Sequence, residues 1–149
     1  MLATRIEAEM KEAMRAKDMI RLNALRMLKS AIGYYLLEKG GKDQPATDAD
    51  VIAVVQKQIK QRRDSIESYE KGGRTDLAEK EKQELAVLGA YLPKQMSEEE
   101  LLVLVKAAIS EVGATSKAQM GAVIKAVMPK VAGRAEGRVV SQLVQQNLQ

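Results

Sequence analysis

The sequence contains no cysteine and no histidine, and its only aromatic residues are four tyrosines. A chain without cysteine can form neither a disulfide bond nor a thiolate metal site, and it has no thiol nucleophile. A chain without histidine lacks the most frequent general base of enzymes and the most frequent metal ligand. We therefore expect no metal site in this protein.

The remaining polar residues form no recognisable catalytic motif. The seven serines have no histidine to activate them, and none lies in a nucleophile elbow or a glycine-rich oxyanion turn. Acidic residues alternate with lysine and arginine, as in "LAEKEKQE", which is typical of ion pairs on helix surfaces. Neither a Walker A motif nor a G-x-G-x-x-G motif is present. We predict that the chain has no catalytic residue of its own and no cofactor.

The apolar residues indicate an all-α protein. Because Phe and Trp are missing, the core must be built from Leu, Ile, Val, Met and Ala, a composition that favours packed helices. These residues recur at helical spacing between glycine breaks, and no segment shows the alternation of a strand. Polar residues before the apolar stretches predict five helix N-caps: Thr4, Asp18, Thr47, Ser97 and Ser116.

The predicted helices divide between two domains. About four helices form an N-terminal domain at residues 1–93, with a loop at "KGGKDQPATDAD". The stretch "PKQMSEEELL" combines a proline with a capping box of Ser97 and Glu100, and it marks a boundary. Three further helices form a small C-terminal domain at residues 97–149. The last of them begins around Glu136 to Arg138 and is predicted to run to the C-terminus.

No stretch of the sequence has the features of a targeting or membrane segment. The N-terminus has no long apolar core followed by a cleavage site, so we expect no signal peptide. No run of apolar residues approaches the roughly 18 that a membrane span needs. These observations predict a cytoplasmic protein without a membrane partner.

The net charge of +4 is concentrated near the C-terminus. Residues 1–111 contain 19 basic and 19 acidic residues, whereas the remaining residues contain five basic residues and one acidic residue. Such an asymmetry favours an anionic partner, usually nucleic acid. A plain solvated basic face is the alternative. The stretch "KQIKQRRDS", which contains Arg62, is typical of a solvated face.

The stretch "VAGRAEGRVV" suggests a site for the anion. We expect Gly133 to take a left-handed conformation after the sixth helix, and Gly137 to leave the backbone open where the last helix starts. Free amides at that start, flanked by Arg134 and Arg138, would converge on one phosphate. Glu136 lies between them and would either cap the helix or repel the anion. The alternative is a helix–turn–helix corner with arginines in solvent.

The sixth helix and the distribution of aromatic residues refine this hypothesis. Met120, Val123, Ile124, Val127 and Val131 share one face and should be core, whereas Ala118, Gly121, Ala122 and Lys125 form a nearly flat opposite side. A flat side allows close approach of a sugar–phosphate backbone or of another helix. All four tyrosines precede the basic region, so stacking on single strands is not expected there. The expected ligand is folded RNA, recognised by shape and backbone.

A second surface on the second helix remains an alternative. Lys29 lies between Leu25 and Ile32 on the predicted apolar seam, where an apolar residue is expected, and Arg26 is nearby. Such residues usually extend from the edge of the core into water, and a minority mark a groove for a protein partner.

Several stretches of the sequence together resemble a known family. "AQMGAVIKAVMPKVAGRAEGRVVSQLV" resembles the C-terminal motif of the GatB/YqeY family. "RLNALRMLKSAI", "KQRRDSIESYEKGGRTDLAEKE" and "LGAYLPKQMSEEEL" resemble other parts of YqeY-like proteins, in the same order along nearly the whole chain. The resemblance implies a small, all-helical, cytoplasmic protein with a helical N-terminal domain and a three-helix C-terminal domain.

The resemblance also implies a function. The C-terminal domain is similar to the tail domain of the B subunit of the tRNA-dependent amidotransferase, which contacts tRNA while catalysis occurs in other domains and subunits. That enzyme, a carbon–nitrogen ligase, amidates Glu-tRNA(Gln) or Asp-tRNA(Asn) with glutamine as amide donor. When the RNA-contacting positions of the family motif are carried over to this sequence, and the neighbouring Lys117 is included, eight residues become candidates for RNA binding: Lys117, Gly121, Lys125, Lys130, Gly133, Arg134, Gly137 and Arg138.

Two positions depart from the family pattern. The family often has Lys where this chain has Ala122, and Lys125, one turn further on, is a candidate replacement. The family usually has Asp where this chain has Glu136, and Asp is the better helix cap.

Three functional hypotheses follow. The first is a non-catalytic accessory protein that binds tRNA or other structured RNA. The second is a helical protein–protein adaptor that uses Arg26 and Lys29 and has no nucleic-acid role. The third is a component that acts only together with amidotransferase subunits.

Overall fold

A computed structural model describes residues 1–41 and 43–148 of the chain. Over these residues the chain forms seven α-helices and one 3₁₀ turn, and no strand, so the all-α prediction is confirmed. Lys42, in the predicted loop, and Gln149, at the end of the predicted last helix, lie outside the described residues. The chain divides into two compact units, Met1–Leu92 and Pro93–Gln149, which we call unit 1 and unit 2.

Unit 1 consists of four helices, which are α1 (Leu2–Arg15), α2 (Met19–Glu38), α3 (Asp48–Lys71) and α4 (Thr75–Gly89). Helix α2 packs on the other three, and α3 and α4 form an antiparallel hairpin that turns at Gly72 and Gly73. The apolar seam predicted for α2 faces the core of this unit. Its fully buried members include Leu25 and Leu28, and each side chain contributes roughly 1.5–3 kcal/mol by burial.

Side chains at two of the helix starts in unit 1 act as predicted. Asp18 accepts a hydrogen bond from the backbone amide of Arg21, at 3.2 Å, and so caps α2. Thr47 and Asp50 form a reciprocal capping box at the start of α3, in which each side chain accepts from the other residue's amide. These N-caps place the starts of α2 and α3 where the sequence predicts them.

Unit 2 consists of three α-helices around an aliphatic core. They are α5 (Glu98–Val112), α6 (Met120–Val131), which a 3₁₀ turn (Lys117–Gln119) precedes, and α7 (Gly137–Asn147). The predicted capping box of Ser97 and Glu100 starts α5, and Gly113 ends it with a positive φ of 72°. The fully buried side chains of this core come from all three helices: Leu101, Val105, Ala108, Val123, Val127, Val131, Val140 and Val144.

Two predicted caps are wrong. Helix α1 already begins at Leu2, so Thr4 lies inside the first turn and cannot cap it. Ser116 precedes the 3₁₀ turn but makes no capping hydrogen bond. The Gln119 side chain instead accepts from the amide of Thr115 at 2.7 Å, one residue earlier than the predicted cap. At the start of α1 the amide of Leu2 donates to Oδ1 of Asp48 at 2.8 Å, so both starts use a donor–acceptor pair other than the one that the spacing suggests.

Candidate nucleic-acid interface

The exposed side of α6 is flat, as the sequence predicts. Val123, Val127 and Val131 are fully buried in the core of unit 2, and Met120 and Ile124 are half-buried beside them. The opposite side is exposed and consists of small residues, one lysine and a proline: Ala118, Gly121, Ala122, Lys125 and Pro129. A large ligand can approach the helix closely along this side, which we call the flat face.

Gly121 has no internal reason to be glycine. Apart from the helix's own backbone, no heavy atom lies within 4 Å of the position that a Cβ would occupy there. Its φ is not in the positive range, so the backbone does not require glycine either. Glycine inside a helix is less favourable than alanine by roughly 1 kcal/mol. The fold therefore leaves open the explanation that an external ligand requires the space.

Lys117 and Lys125 extend the flat face as cations. Lys117 lies four residues before Gly121 and Lys125 lies four residues after it, a spacing that makes neighbours on a helical surface. Both lysines are exposed, and neither forms an ion pair with the residues that the structure describes. Their positive charge is not compensated locally, so it remains available to an anionic ligand.

Lys130 is paired with a carboxylate. Its Nζ lies 3.0 Å from Oε2 of Glu111 on α5, and both side chains are exposed. Exposed ion pairs contribute roughly 0–1 kcal/mol, so an anionic ligand can displace Glu111 at small cost. Lys130 therefore differs from Lys125 in having a competitor for the same ligand.

Arg134 has a contact that the sequence did not reveal. Its Nε donates to the backbone carbonyl of Lys94 at 2.9 Å, and its Nη2 lies 3.6 Å from Oε2 of Glu100. Both partners belong to the beginning of unit 2. Part of this guanidinium is thus committed inside the unit and does not simply extend beside the last helix.

The corner between α6 and α7 has an unusual backbone. Gly133 has a φ of 83°, which confirms the predicted left-handed conformation. Ala132 precedes it with a φ of 47°, in the left-handed region that side chains with a Cβ disfavour. Two consecutive left-handed residues turn the chain sharply after Val131, and only the second is a glycine.

Helix α7 starts without a side-chain cap. Glu136 occupies the N-cap position, but its side chain makes no capping hydrogen bond, so the capping role considered for it is not observed. Gly137 is the first helical residue, and a Cβ there would also meet no atom within 4 Å. Arg138 follows and is exposed. The first amides of α7 thus lie beside an open position and one basic side chain.

The candidate residues extend along the surface of unit 2. Gly121 and Lys130 are nine residues apart on α6, which corresponds to about 13 Å along the helix axis. The corner with Gly133 and the start of α7 follow beyond that. Such a length matches several successive phosphates better than the single phosphate that the sequence analysis emphasised.

The candidate protein-binding residues on α2 lie on its exposed side. Lys29 was expected on the apolar seam, but it is exposed and its Nζ lies 3.2 Å from Oε1 of Glu7 on α1. Lys29 therefore lies beside the buried seam of Leu25, Leu28 and Ile32 and extends into water, as such residues usually do. Arg26 is exposed and has no ion pair within the described residues.

An apolar stripe accompanies Arg26. Four of the five exposed large apolar residues of α2 recur at spacings of seven, seven and three residues, so they share one side of the helix: Ile20, Met27, Tyr34 and Leu37. Tyr34 is 70% exposed and Met27 is 53% exposed. We call this set the α2 stripe.

The sequence analysis missed a buried ionic cluster in unit 1. Arg62, assigned to a solvated face, is only 5% exposed, and its Nη1 donates to the carboxylates of Glu84 and Glu81. The spacing contained the signal, because Arg62 lies three residues after Ile59 and four before Ile66, on the apolar side of α3. The assignment to solvent was wrong since the partner carboxylates lie on another helix.

A second polar cluster fastens the end of unit 1 to α1. The hydroxyl of Tyr91 donates to Glu9, and Arg5 stacks on the tyrosine ring with its guanidinium carbon 4.7 Å from the centroid. Burial and the hydrogen bond to Glu9 raise the pKa of Tyr91 well above its usual value. Burial raises the pKa of Glu9, but hydrogen bonds from Tyr91 and Arg5 outweigh it, so this pKa is lowered. The cluster has a structural role and presents no exposed nucleophile.

Comparisons with known proteins agree with the resemblance seen in the motifs. A profile of the family described as Yqey-like protein matches residues 3–148. The chain is 34% identical over 95% of its length to "Altered inheritance of mitochondria protein 41, mitochondrial" from Pyrenophora tritici-repentis, and the match covers 78% of that protein. Proteins of the same name from Vanderwaltozyma polyspora and Lachancea thermotolerans are each 36% identical over 58% of this chain. In each of these two relatives the match spans 46% of that relative's own length.

No helix among the described residues is both long enough and apolar enough to span a membrane.

Proposed function

Because the chain belongs to the Yqey-like protein family, we propose that unit 2 binds the backbone of folded RNA, with tRNA as the expected ligand. In this proposal the protein is a non-catalytic accessory factor related to the tRNA-dependent amidotransferase, as the motifs of the C-terminal half imply. One observation carries the proposal: the flat face of α6 combines an unexplained open glycine, Gly121, with Lys125, a cation that has no local counter-charge.

The chemistry of the flat face suits a sugar–phosphate backbone. Small side chains allow the ribose–phosphate chain to approach the helix, and Lys125 and Lys117 neutralise phosphates from either end. The uncapped amides at the start of α7, together with Arg138, offer donors to a further phosphate. Unit 2 contains no aromatic ring, so recognition rests on the shape of the RNA rather than on base stacking.

We place this activity in the cytoplasm, as expected from the sequence. The names of the fungal relatives place those proteins in mitochondria and connect them with mitochondrial inheritance. A surface that recognises tRNA would serve in either compartment, so the proposed chemistry is compatible with both. A role as a component of an amidotransferase is the further step that the family resemblance implies.

The proposal is tested by two opposite substitutions at the flat face. Gly121→Gln fills the open position without an internal clash and favours the helix, so we expect equal or higher thermal stability but weaker tRNA binding, by about tenfold. Lys125→Ala should lower the slope of log Kd against log salt concentration by about one, as loss of one phosphate contact requires. Fluorescence anisotropy with labelled tRNA measures both quantities.

Gly33→Gln on α2 is the matched control, since Gly33 is also helical, exposed and open. It should leave tRNA binding unchanged. If the wild-type protein binds tRNA no better than a single strand of equal length, or if Gly121→Gln binds as well as wild type, the proposal is wrong. An increase in amidated tRNA when the protein is added to a partial amidotransferase would support the further role in that enzyme.

The α2 stripe favours a second candidate function, the binding of a partner protein. We commit to an amphipathic helix that places apolar residues on Met27 and Tyr34 and an acidic residue beside Arg26, whose charge is uncompensated within the described residues. Crosslinking mass spectrometry after nuclease treatment should map partner crosslinks to α2, and Arg26→Glu or Met27→Asp should remove them. Crosslinks only between copies of this chain, or crosslinks that survive both substitutions, would exclude this function.

A further inference from the structure

We propose that Arg134 is a positioning residue that holds residues 93–96 on the corner between α6 and α7, and that it is not itself a phosphate ligand. This inference rests on the proposed function only in that the corner belongs to the RNA surface. We call residues 93–96 the strap, because they run across the corner before α5 begins.

Backbone and side-chain hydrogen bonds fasten the strap to the corner. The amide of Met96 donates to the carbonyl of Arg134 at 2.7 Å, and Nε2 of Gln95 donates to the carbonyl of Gly133 at 3.2 Å. In the opposite direction, Nε of Arg134 donates to the carbonyl of Lys94 at 2.9 Å. Three successive strap residues thus contact two successive corner residues, with donors on both sides.

The strap is also ordered within itself and against the core. Nε2 of Gln95 reaches the carbonyl of Pro93 at 2.9 Å as well as the corner, and Met96 packs half-buried on the aliphatic core. The same Oε2 atom of Glu100 that approaches Arg134 accepts the amide of Ser97 in the capping box of α5. Arg134 therefore connects the corner, the strap and the first turn of α5.

The position of these bonds explains why they matter for the corner. Ala132 and Gly133 both have positive φ, so the backbone departs from the helical path here, and the amides of Ala132 and Arg134 close the turn on the carbonyls of Met128 and Val131 at 3.3 and 2.9 Å. The strap binds the carbonyl of Gly133, the second residue of that turn, and the carbonyl of Arg134, which directly follows it. Fixing them fixes the direction in which the chain enters α7, and with it the amides of the first turn and the side chain of Arg138.

The geometry of Arg134 argues against direct phosphate binding. A guanidinium that binds phosphate uses two parallel donors of its planar fork. Here Nε is engaged with Lys94, and Nη2 faces Glu100 at 3.6 Å. The edge formed by Nε and Nη2 therefore faces the protein, and only the end formed by Nη1 and Nη2 points away from these partners. We assign the side chain to the strap, and the salt dependence of binding tests whether that remaining end also contacts a phosphate.

Arg134→Lys separates charge from geometry. Lysine keeps the positive charge but has no donor at the position of Nε, so it cannot hold the Lys94 carbonyl in the same way. Trypsin cleavage after Lys94, followed by mass spectrometry on the intact two-unit protein, reports opening of the strap. We expect cleavage about tenfold faster in Arg134→Lys and Arg134→Ala, because one charge-assisted hydrogen bond is lost.

The salt dependence of tRNA binding distinguishes a phosphate ligand from a positioning residue, because only loss of a phosphate contact changes its slope. We expect both Arg134 variants to weaken tRNA binding with an unchanged salt slope, whereas Lys125→Ala lowers the slope and leaves cleavage after Lys94 unchanged. Glu99→Gln is the matched control, because Glu99 is exposed in the same first turn of α5 and forms no hydrogen bond or ion pair with Arg134 or the strap among the described residues. Cleavage after Lys94 should stay within about twofold of wild type.

Two results would overturn the inference: a salt slope that falls by about one in Arg134→Ala, or cleavage after Lys94 that is unchanged in Arg134→Lys. If wild-type protein binds no tRNA, the proposed function fails, and the cleavage rates alone then decide whether Arg134 holds the strap.

Discussion

The two units of the molecule place their charges differently. Unit 1 buries three charged residues, Asp50, Arg62 and Glu84, and contains all four tyrosines of the chain. The buried residues described in unit 2 are all apolar. In unit 1 these charged groups form ion pairs between neighbouring segments: Arg62 joins α3 to α4, and Asp50 joins α3 to Lys39 at the end of α2. In unit 2 the aliphatic core joins the helices without such groups, and the cations of α6 remain on the surface.

Under the proposed function, this difference assigns stability and binding to different parts of one chain. A cation that a carboxylate neutralises inside the fold offers little to a ligand, while Lys117 and Lys125 offer their full charge. Substitutions at charged residues should therefore affect mainly stability in unit 1 and mainly RNA binding in unit 2.

Removal of one partner of the buried ionic cluster should have the largest effect. Arg62→Ala leaves the Glu84 carboxylate buried without its counter-charge, which typically costs about 3–5 kcal/mol. We expect unit 1 to lose this much stability in urea denaturation followed by circular dichroism, with the unfolding of unit 2 unchanged. Tyrosine fluorescence reports unit 1 alone, because unit 2 has no aromatic residue.

A paired apolar replacement provides the control for this experiment. In Arg62→Met combined with Glu84→Leu no charge of the pair remains buried, and Nε of Arg62, which has no hydrogen-bond partner, is also removed. The double variant should lie within about 1.5 kcal/mol of wild type. A single variant as stable as the double variant would show that the cluster is not what distinguishes unit 1.

Acid should weaken unit 1 through Asp50. The hydrogen bond from Lys39, followed by those at Thr47, lowers the pKa of Asp50 from its ordinary value of 3.8 to about 2. Because the folded state has the lower pKa, this stabilisation is complete above the unfolded pKa and is lost as pH falls from about 4 to 2. The urea midpoint of unit 1, measured by tyrosine fluorescence, should fall over this range.

Asp50→Asn should remove most of that pH dependence. The variant loses the ion pair with Lys39, so it should be less stable than wild type at neutral pH and should converge on wild type in acid. Equal pH dependence in the two proteins would assign the acid sensitivity to other carboxylates, of which Glu9, with its lowered pKa, is the next candidate.

Helix order and the flat face could be predicted because they depend on local pattern. The caps at Asp18, Thr47 and Ser97 and the valine face of α6 follow from side chains a few residues apart. The use of Arg62 and Arg134 could not be predicted, since their partners lie 19 to 40 residues away in sequence. The spacing of Arg62 marks it as buried, but no local pattern in the sequence names Glu84 as its partner.

Relief of backbone strain should have a moderate, stabilising effect in both units. Lys17 in unit 1 and Ala132 in unit 2 have positive φ values of 56° and 47°. A left-handed conformation destabilises a residue with a Cβ by about 1–2 kcal/mol. Substitution by glycine removes this strain, but glycine also has greater conformational freedom in the unfolded chain, which cancels part of the gain in stability. We expect Lys17→Gly and Ala132→Gly each to stabilise their own unit by about 0.5–1 kcal/mol in urea denaturation.

The corner adds a condition to this prediction. Gly133→Ala should destabilise unit 2, because its φ of 83° disfavours a Cβ. If Ala132→Gly stabilises the unit but weakens tRNA binding, the strained corner serves the binding surface. A loss of stability in Ala132→Gly would show that the left-handed conformation is not a source of strain.

The smallest effect on stability is expected at the exposed ion pairs, and here the two units should differ in binding alone. Lys29 with Glu7 in unit 1 and Lys130 with Glu111 in unit 2 have similar separations of 3.2 and 3.0 Å. Lys29→Gln and Lys130→Gln should each change stability by less than about 0.5 kcal/mol. Only Lys130→Gln should weaken tRNA binding, and by less than Lys125→Ala, since Lys130 shares its charge with Glu111. If both glutamine variants weaken binding equally, RNA affinity follows the overall charge of the chain, and the distinction between the units does not hold for binding.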